Sequence, residues 1–76
     1  MGVDSMLQEG QRYYFKTNDG SEICGTIYRI LTKGRIILED VDILTELGTP
    51  QYFEQITLYG SDVAQIFDFE TDERIY

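Results

Sequence analysis

The chain contains no histidine and only one cysteine, Cys24, among its 76 residues. A single thiol cannot form an intramolecular disulfide, and one thiol without any imidazole excludes a zinc cage for practical purposes. No histidine is present to activate Cys24 as a nucleophile, so Cys24 is interpreted as a small buried hydrophobic residue. Gly-rich phosphate-binding loops are also missing, because the glycines are spread over predicted strands and turns. We therefore expect no enzymatic activity, no metal site and no cofactor.

Long apolar runs are missing too. The longest span a few residues, far below the roughly 20 needed to cross a bilayer, and no signal-peptide pattern opens the sequence. These absences predict a soluble, intracellular (cytoplasmic) protein without a membrane partner.

A chain of 76 residues makes one domain, and a domain of this size buries only roughly 60 to 65% of the surface exposed by its unfolded form. Oligomerisation is the remaining common way to stabilise such a domain.

Basic residues are scarce, since six of them face fourteen acidic residues for a net charge of −8. This balance argues against a protein whose whole surface binds nucleic acid. The charges are unevenly distributed: residues 11–37 hold five bases and two acids, whereas residues 38–76 hold ten acids and one base, Arg74. Both sets are either ordinary solvated surface, or the first forms a small basic patch on an acidic body.

The hydrophobic pattern predicts mainly β-structure. Val3, Met6 and Leu7 share one face at helical spacing and Gly10 can end a turn, which predicts a short helix within residues 1–10. From Arg12 the period changes to two, as is typical of strands. Five strands are predicted, over residues 12–17, 21–31, 35–44, 51–59 and 63–69, and residues 70–76 are predicted to form an acidic tail.

Two positions predict bends in these strands. Gly25 lies inside the second strand, where a residue without a side chain usually marks a bulge or bend. In the third strand the apolar residues shift from even-numbered to odd-numbered positions between Leu38 and Val41. This shift predicts a bend near Glu39 and Asp40. Five short strands without an internal proline predict an all-β fold, a small and strongly bent antiparallel barrel.

Two segments resemble the motifs of a known family. Residues 25–38, GTIYRILTKGRIIL, resemble without gaps the first motif of the Sm and Like-Sm (LSm) family, in which an apolar residue follows a strand glycine two places on and an apolar pair closes the motif. Residues 58–66, LYGSDVAQI, are similar to the second motif, in which Ile-Arg-Gly precedes two polar residues and spaced apolar ones. The resemblance covers about residues 12–69.

The resemblance implies a single Sm-like domain, with a five-stranded Sm-like (SH3-like) barrel over residues 12–69 between the helix of residues 1–10 and the tail of residues 70–76. It also implies a closed homo-oligomeric ring, in which the fourth strand of one subunit pairs with the fifth strand of the next. Such a ring would leave no sheet edge open and would add the burial that a short chain lacks.

The family's inner pocket for uridine-rich RNA uses an Asp, an aromatic or His, and an Asn on the loop between the second and third strands, together with the Arg of the second motif. The corresponding positions here hold Leu31, Lys33, Arg35 and Tyr59, so the Asp and Asn that orient and hydrogen-bond a base are missing. Lys33 and Arg35 can contact phosphate, Arg35 can also stack, and Tyr59 offers a π-face.

Three functional interpretations follow. The first is a ring subunit that binds single-stranded RNA with weak base selectivity through Lys33, Arg35 and Tyr59, with each weak site repeated around the ring. The second is a structural or adaptor ring that has lost RNA binding and contacts a protein partner. The third is a monomeric barrel of the same general shape and unrelated ancestry.

Overall fold

The computed structural model describes residues 6–76, which form one five-stranded antiparallel sheet. The strands are β1 (Arg12–Thr17), β2 (Glu22–Ile30), β3 (Arg35–Leu44), β4 (Gln51–Tyr59) and β5 (Val63–Asp68). Their order in the sheet is β4-β3-β2-β1-β5, and a 3₁₀ turn over Gly60–Asp62 connects the two edge strands. The predicted all-β, five-stranded antiparallel fold is confirmed.

No helix within residues 6–76 has the length and apolar character needed to cross a membrane.

The segment before β1 is held against the barrel. The helix predicted over residues 1–10 lies partly outside the described residues, and residues 6–76 contain no α-helix. Leu7 is buried in the core, and the Gln8 N–H donates to the Tyr13 hydroxyl at 3.1 Å. The Gly10 N–H donates to the Ile27 carbonyl at 2.8 Å. A buried apolar side chain and several hydrogen bonds to β1 and β2 therefore anchor this segment.

The core lies inside the bent sheet and is formed by the alternate, inward-facing residues of the strands. Its largest fully buried side chains are Phe15, Ile27, Ile36, Leu38, Val41 and Ile66. Burying an apolar side chain of this size stabilises a fold by about 1.5–3 kcal/mol. These six residues come from β1, β2, β3 and β5, whereas β4 contributes one buried residue, Leu58. β4 is therefore an edge strand whose side chains are mostly exposed.

A bulge in β3 explains its change of parity. Leu38 and Val41 are both fully buried although they are three positions apart. Opposite the single residue Gly25 of β2, β3 has two residues, Asp40 and Val41, and Asp40 adopts a φ of +55°. An extra residue on one strand bends that strand and increases its twist. The bend predicted near Asp40 is therefore present.

Arg12 holds this bulge in place. Its guanidinium lies 2.9 Å from the Asp40 carbonyl oxygen, 3.6 Å from Asp40 Oδ2 and 3.7 Å from Asp42 Oδ2. The same group lies over the ring of Phe69, 5.2 Å from its centroid. Both ion pairs found within residues 6–76 belong to Arg12. Arg12 therefore makes structural contacts that stabilise the bulge.

Gly25 is required by the close approach of β2 to the bulge. A Cβ atom at this position would lie 3.2 Å from Leu38 Cβ and 3.2 Å from Val41 Cγ2. Neither atom is the end of a flexible side chain, and both belong to fully buried residues. A glycine is therefore needed at this position because there is no room for a side chain.

We expect Gly25→Ala to lower the free energy of unfolding by about 1–3 kcal/mol, because overpacking strains a filled core. Urea denaturation measures this loss. Val41→Ala removes the methyl group that the added Cβ would meet, so the double variant should lose less stability than the sum of the two single variants. Strictly additive losses would contradict this explanation.

Tyr14 makes a pH-dependent contact on the outer face of β1. Its hydroxyl donates a hydrogen bond to Glu22 Oε1 in β2. This bond, followed by partial burial, raises the pKa of Tyr14 from 10.0 to about 12. The folded protein therefore favours the protonated hydroxyl. The stability contributed by the bond is fully present below the ordinary pKa and is lost as the pH rises through the higher value.

Tyr14→Phe is expected to lower the free energy of unfolding by about 1 kcal/mol at neutral pH, since one hydrogen bond is removed. This difference between the two proteins should shrink as the pH rises from 10.0 to about 12, because the wild type then loses the same bond. Urea unfolding of both proteins at several pH values measures it. A difference that stays constant across this range would show that the hydroxyl does not stabilise the fold in this way.

Candidate functional site

The Gly60–Asp62 turn closes the barrel between its two edge strands. The Gly60 N–H donates to the Gly34 carbonyl oxygen at 2.7 Å. On the other side, the Asn18 N–H donates to the Asp62 carbonyl oxygen at 2.8 Å, and the Asn18 side-chain amide donates to the Ser61 carbonyl oxygen at 3.0 Å. The turn is thus bonded to the β1–β2 loop and to the β2–β3 loop.

The β2–β3 loop is a tight turn with an exposed base at its tip. Lys33 and Gly34 have φ values of +63° and +70°, and the Leu31 N–H donates to the Arg35 carbonyl oxygen at 2.8 Å. Two successive residues with positive φ match the right-handed twist of the flanking strands. The backbone therefore presents Lys33, which is exposed, on the loop that contacts the Gly60–Asp62 turn.

Arg35 and Tyr59 lie directly opposite each other in the β3–β4 ladder. Opposite residues in an antiparallel pair project from the same face of the sheet. Arg35 is exposed and Tyr59 is 49% exposed, and Arg35 Nε donates to the Thr32 carbonyl oxygen at 3.4 Å. The three residues predicted from the sequence, Lys33, Arg35 and Tyr59, thus lie at the same end of the barrel.

Arg29 extends this surface by one row. It pairs with Ile37, which pairs with Thr57, and this row lies two residues along the strands from Arg35 and Tyr59. Residues two apart on a strand share a face. The rows of Arg29 and Arg35 therefore lie side by side on the outer face.

The site predicted from the sequence does not include Arg29, because it consists of positions that correspond to the family's pocket, and alternation gives no sign that Arg29 faces outward. Ile27 is buried, so strict alternation would place Arg29 in the core as well. The register shifts between Ile27 and Arg29, and Tyr28 is the extra residue, 49% exposed, with the Arg29 guanidinium 5.7 Å from its ring centroid. We call the surface formed by Tyr28, Arg29, Lys33, Arg35 and Tyr59 the cationic face.

The cationic face holds half of the chain's six bases. Its three cations form none of the ion pairs found within residues 6–76. Acidic groups border it: Glu9 Oε2 accepts the Ile30 N–H at 3.2 Å, and Glu39 follows Ile37 on the same face of β3. The face is thus a limited positive surface on an acidic protein.

A cleft of about 410 Å³ borders the same turn but has the opposite charge. Asp19 and Asp62 line it without any base. A hydrogen bond from the Thr17 hydroxyl is the main cause that lowers the pKa of Asp19, so its carboxylate is ionised at neutral pH. This cleft repels phosphate, which leaves the cationic face as the candidate site for an anionic ligand.

Cys24 is half-buried rather than fully buried. Burial raises the pKa of its thiol, which favours the protonated and less nucleophilic form. Within residues 6–76, no three or more His, Cys, Asp or Glu side chains are grouped to hold a metal ion.

No protein-family model and no curated protein sequence matches this chain. Solved structures do match it. A heptameric archaeal Sm protein aligns with a TM-score of 0.69 at 21% identity, over 88% of this chain and 97% of that chain. The P. aerophilum SmAP1 heptamer aligns with a TM-score of 0.71 at 22% identity, over 87% of this chain and 90% of that chain.

A third structure, the Pyrococcus abyssii Sm protein in complex with a uridine heptamer, aligns with a TM-score of 0.65 at 16% identity, over 76% of this chain and 82% of that chain. At these identities the likeness is one of fold. The resemblance inferred from the two sequence motifs is confirmed at that level, because the chain has the Sm-like fold.

Proposed function

We propose that this chain is the subunit of a homo-oligomeric ring that binds single-stranded RNA with weak base selectivity through the cationic face. The observation that carries the proposal is the pairing of Arg35 with the exposed Tyr59, next to Lys33, on an Sm-like fold. Cations that contact phosphate beside an aromatic ring that stacks on bases are typical of single-strand binding. A protein of the same fold has been solved with a uridine heptamer.

Weak base selectivity follows from the chemistry of these side chains. Lys33 and Arg35 carry only donors, which suit phosphate, and an aromatic ring such as Tyr59 stacks on any base. Leu31 and Arg35 stand where the family resemblance implies an Asp and an Asn. The site therefore binds the backbone and the base faces, and it lacks the carboxylate and amide that would read a base edge.

Ring assembly is supported by the exposed edge strand β4. Tyr52 and Phe53 of β4 are 59% and 39% exposed, and no other strand of residues 6–76 pairs with its outer edge. An open edge with exposed aromatic side chains is a surface that proteins normally cover. Pairing of β4 with β5 of the next copy is head-to-tail, and such contacts form a ring when the rotation from one copy to the next closes. Two neighbours of this fold are heptamers. The proposed activity is binding and not catalysis.

Removing two cations of the cationic face together, by Lys33→Ala with Arg35→Ala, should weaken RNA binding and lower its salt dependence. Each lost phosphate contact makes the slope of log affinity against log salt less steep by about 0.7 for single strands, so we expect it to become less steep by about 1.4 for each subunit that contacts the RNA. Filter retention of an unstructured oligonucleotide over a salt series measures both effects.

Lys16→Ala is the matched control for Lys33→Ala, because it removes a lysine from β1 that lies over the ring of Phe67, away from the cationic face. Equal losses in these two single variants would mean that net charge alone matters. Absence of binding by the wild type at low salt would contradict the proposal and would favour the adaptor ring with a protein partner.

Tyr59→Ala should reduce affinity by about 5- to 150-fold for each subunit whose Tyr59 stacks on a base, since stacking of one base on an aromatic ring contributes roughly 1–3 kcal/mol. Tyr59→Phe keeps the ring and should bind nearly as well as the wild type. The same retention assay measures both variants. If Phe and Ala at this position weaken binding equally, the hydroxyl and not the π-face is the contact, and the stacking role is wrong.

A further inference from the structure

The chain after β5 returns along the outer edge of that strand. The hydrogen bonds run from Ile75 N–H to the Ile66 carbonyl (2.9 Å), from Ile66 N–H to the Tyr76 carbonyl (3.0 Å) and from Asp68 N–H to the Glu73 carbonyl (2.8 Å). Phe67 and Arg74 form the antiparallel pair between these bonds. We call residues 73–76 the strap. It occupies the side of β5 that faces away from β1.

The strap is held by its turn and by its packing as well as by this ladder. Asp68 Oδ1 accepts the N–H groups of Glu70 and Thr71 at 2.9 and 3.0 Å, and the Asp72 N–H donates to the Asp68 carbonyl at 2.9 Å. Partly buried Ile75 packs against the core. Residues 70–76, which are predicted from the sequence to form an acidic tail, therefore include a segment with a specific position on the barrel.

The two edges of the sheet are consequently unequal. Within residues 6–76 the outer edge of β4 has no pairing partner, whereas β5 already uses the backbone groups of Ile66 and Asp68 for the strap. A backbone N–H that is bonded to the strap is not available to a second strand. The β4 strand of another copy therefore cannot pair along this part of β5 while the strap is in place.

We propose that the strap gates assembly, because it must leave β5 before β5 can pair with β4 of another copy. This inference rests on the ring proposed above. A short turn of residues 69–72 tethers the strap, and a short tether gives an effective concentration on the order of millimolar. A free β4 edge at micromolar concentration competes poorly against it. The chain stays monomeric at low concentration and assembles where the strap is released.

The first test weakens the strap at Ile75. Ile75→Pro removes the N–H that donates to Ile66 and also the side chain that packs against the core. Arg74→Pro is the control for the introduced proline, because the Arg74 N–H makes no backbone hydrogen bond within residues 6–76. We expect Ile75→Pro to assemble at a concentration about tenfold or more below that of the wild type and of the control, as the loss of one backbone hydrogen bond predicts. Native mass spectrometry over a concentration series counts the subunits.

Hydrogen exchange checks the cause directly. In monomeric Ile75→Pro, the amides of Ile66 and Asp68 should lose protection, while core amides such as that of Phe15 in β1 keep theirs. Loss of protection throughout the sheet would mean that the variant has unfolded. The second test is then decisive, because it uses one protein in two redox states.

The second test locks the strap. Phe67 and Arg74 are opposite each other without sharing hydrogen bonds, and Cα atoms in such pairs are about 4.5 Å apart, which suits a disulfide. Phe67→Cys with Arg74→Cys, made together with Cys24→Ser, should remain monomeric at every concentration when oxidised. On reduction the same protein should assemble. An oxidised form that assembles as readily as the reduced form would overturn the proposal.

The outcomes separate the strap from the ring. If the wild type and Ile75→Pro assemble at the same concentration, the gating is wrong and the ring proposal stands. If no variant and neither redox state assembles at the highest concentration reached, both the gating and the ring are wrong. Assembly that begins at lower concentration only when the strap is weakened supports both.

Discussion

The unpaired backbone groups at the two edges of the sheet are the constraint on which the rest of this structure depends. A five-stranded sheet in the order β4-β3-β2-β1-β5 leaves one side of β4 and one side of β5 without a strand partner. Such edges attract further strands. In the described part of the chain, residues 73–76 cover part of β5, and β4 stays uncovered. The proposed assembly and its proposed control by the strap therefore both involve the same few backbone hydrogen bonds of β5.

Closure of the barrel also creates the cationic face. The antiparallel β3–β4 ladder places the end of β4 beside the start of β3, and the Gly60–Asp62 turn that follows is bonded to the β2–β3 loop through Gly34. That proximity pairs Tyr59 with Arg35. Meanwhile Arg12 is engaged by the β3 bulge. The division of the few bases between fold and surface thus leaves a small positive area on a protein with a net charge of −8.

Much of the fold was predictable because alternation is a local property. Patterns with a period of two predict β1, β3 and β4 with the observed bounds, and β2 and β5 differ by one residue at their ends. The parity change between Leu38 and Val41 predicts the bulge in β3. Alternation fails at Tyr28, where a second bulge turns Arg29 outward, because no local pattern distinguishes an extra residue from a regular one.

The sequence by itself determined the five strands, the glycine at the crowded bend and the two motifs that indicate an Sm-like fold, since each depends on residue types at short spacing. Only the tertiary structure decided that Arg29 joins Arg35 and Tyr59 on one face, and that residues 73–76 lie on β5. Those outcomes depend on which distant backbone groups pair with each other. Composition indicates an acidic tail after β5. In the structure, however, the backbone groups of Ile66 and Asp68 on the outer edge of β5 form hydrogen bonds with residues 73–76.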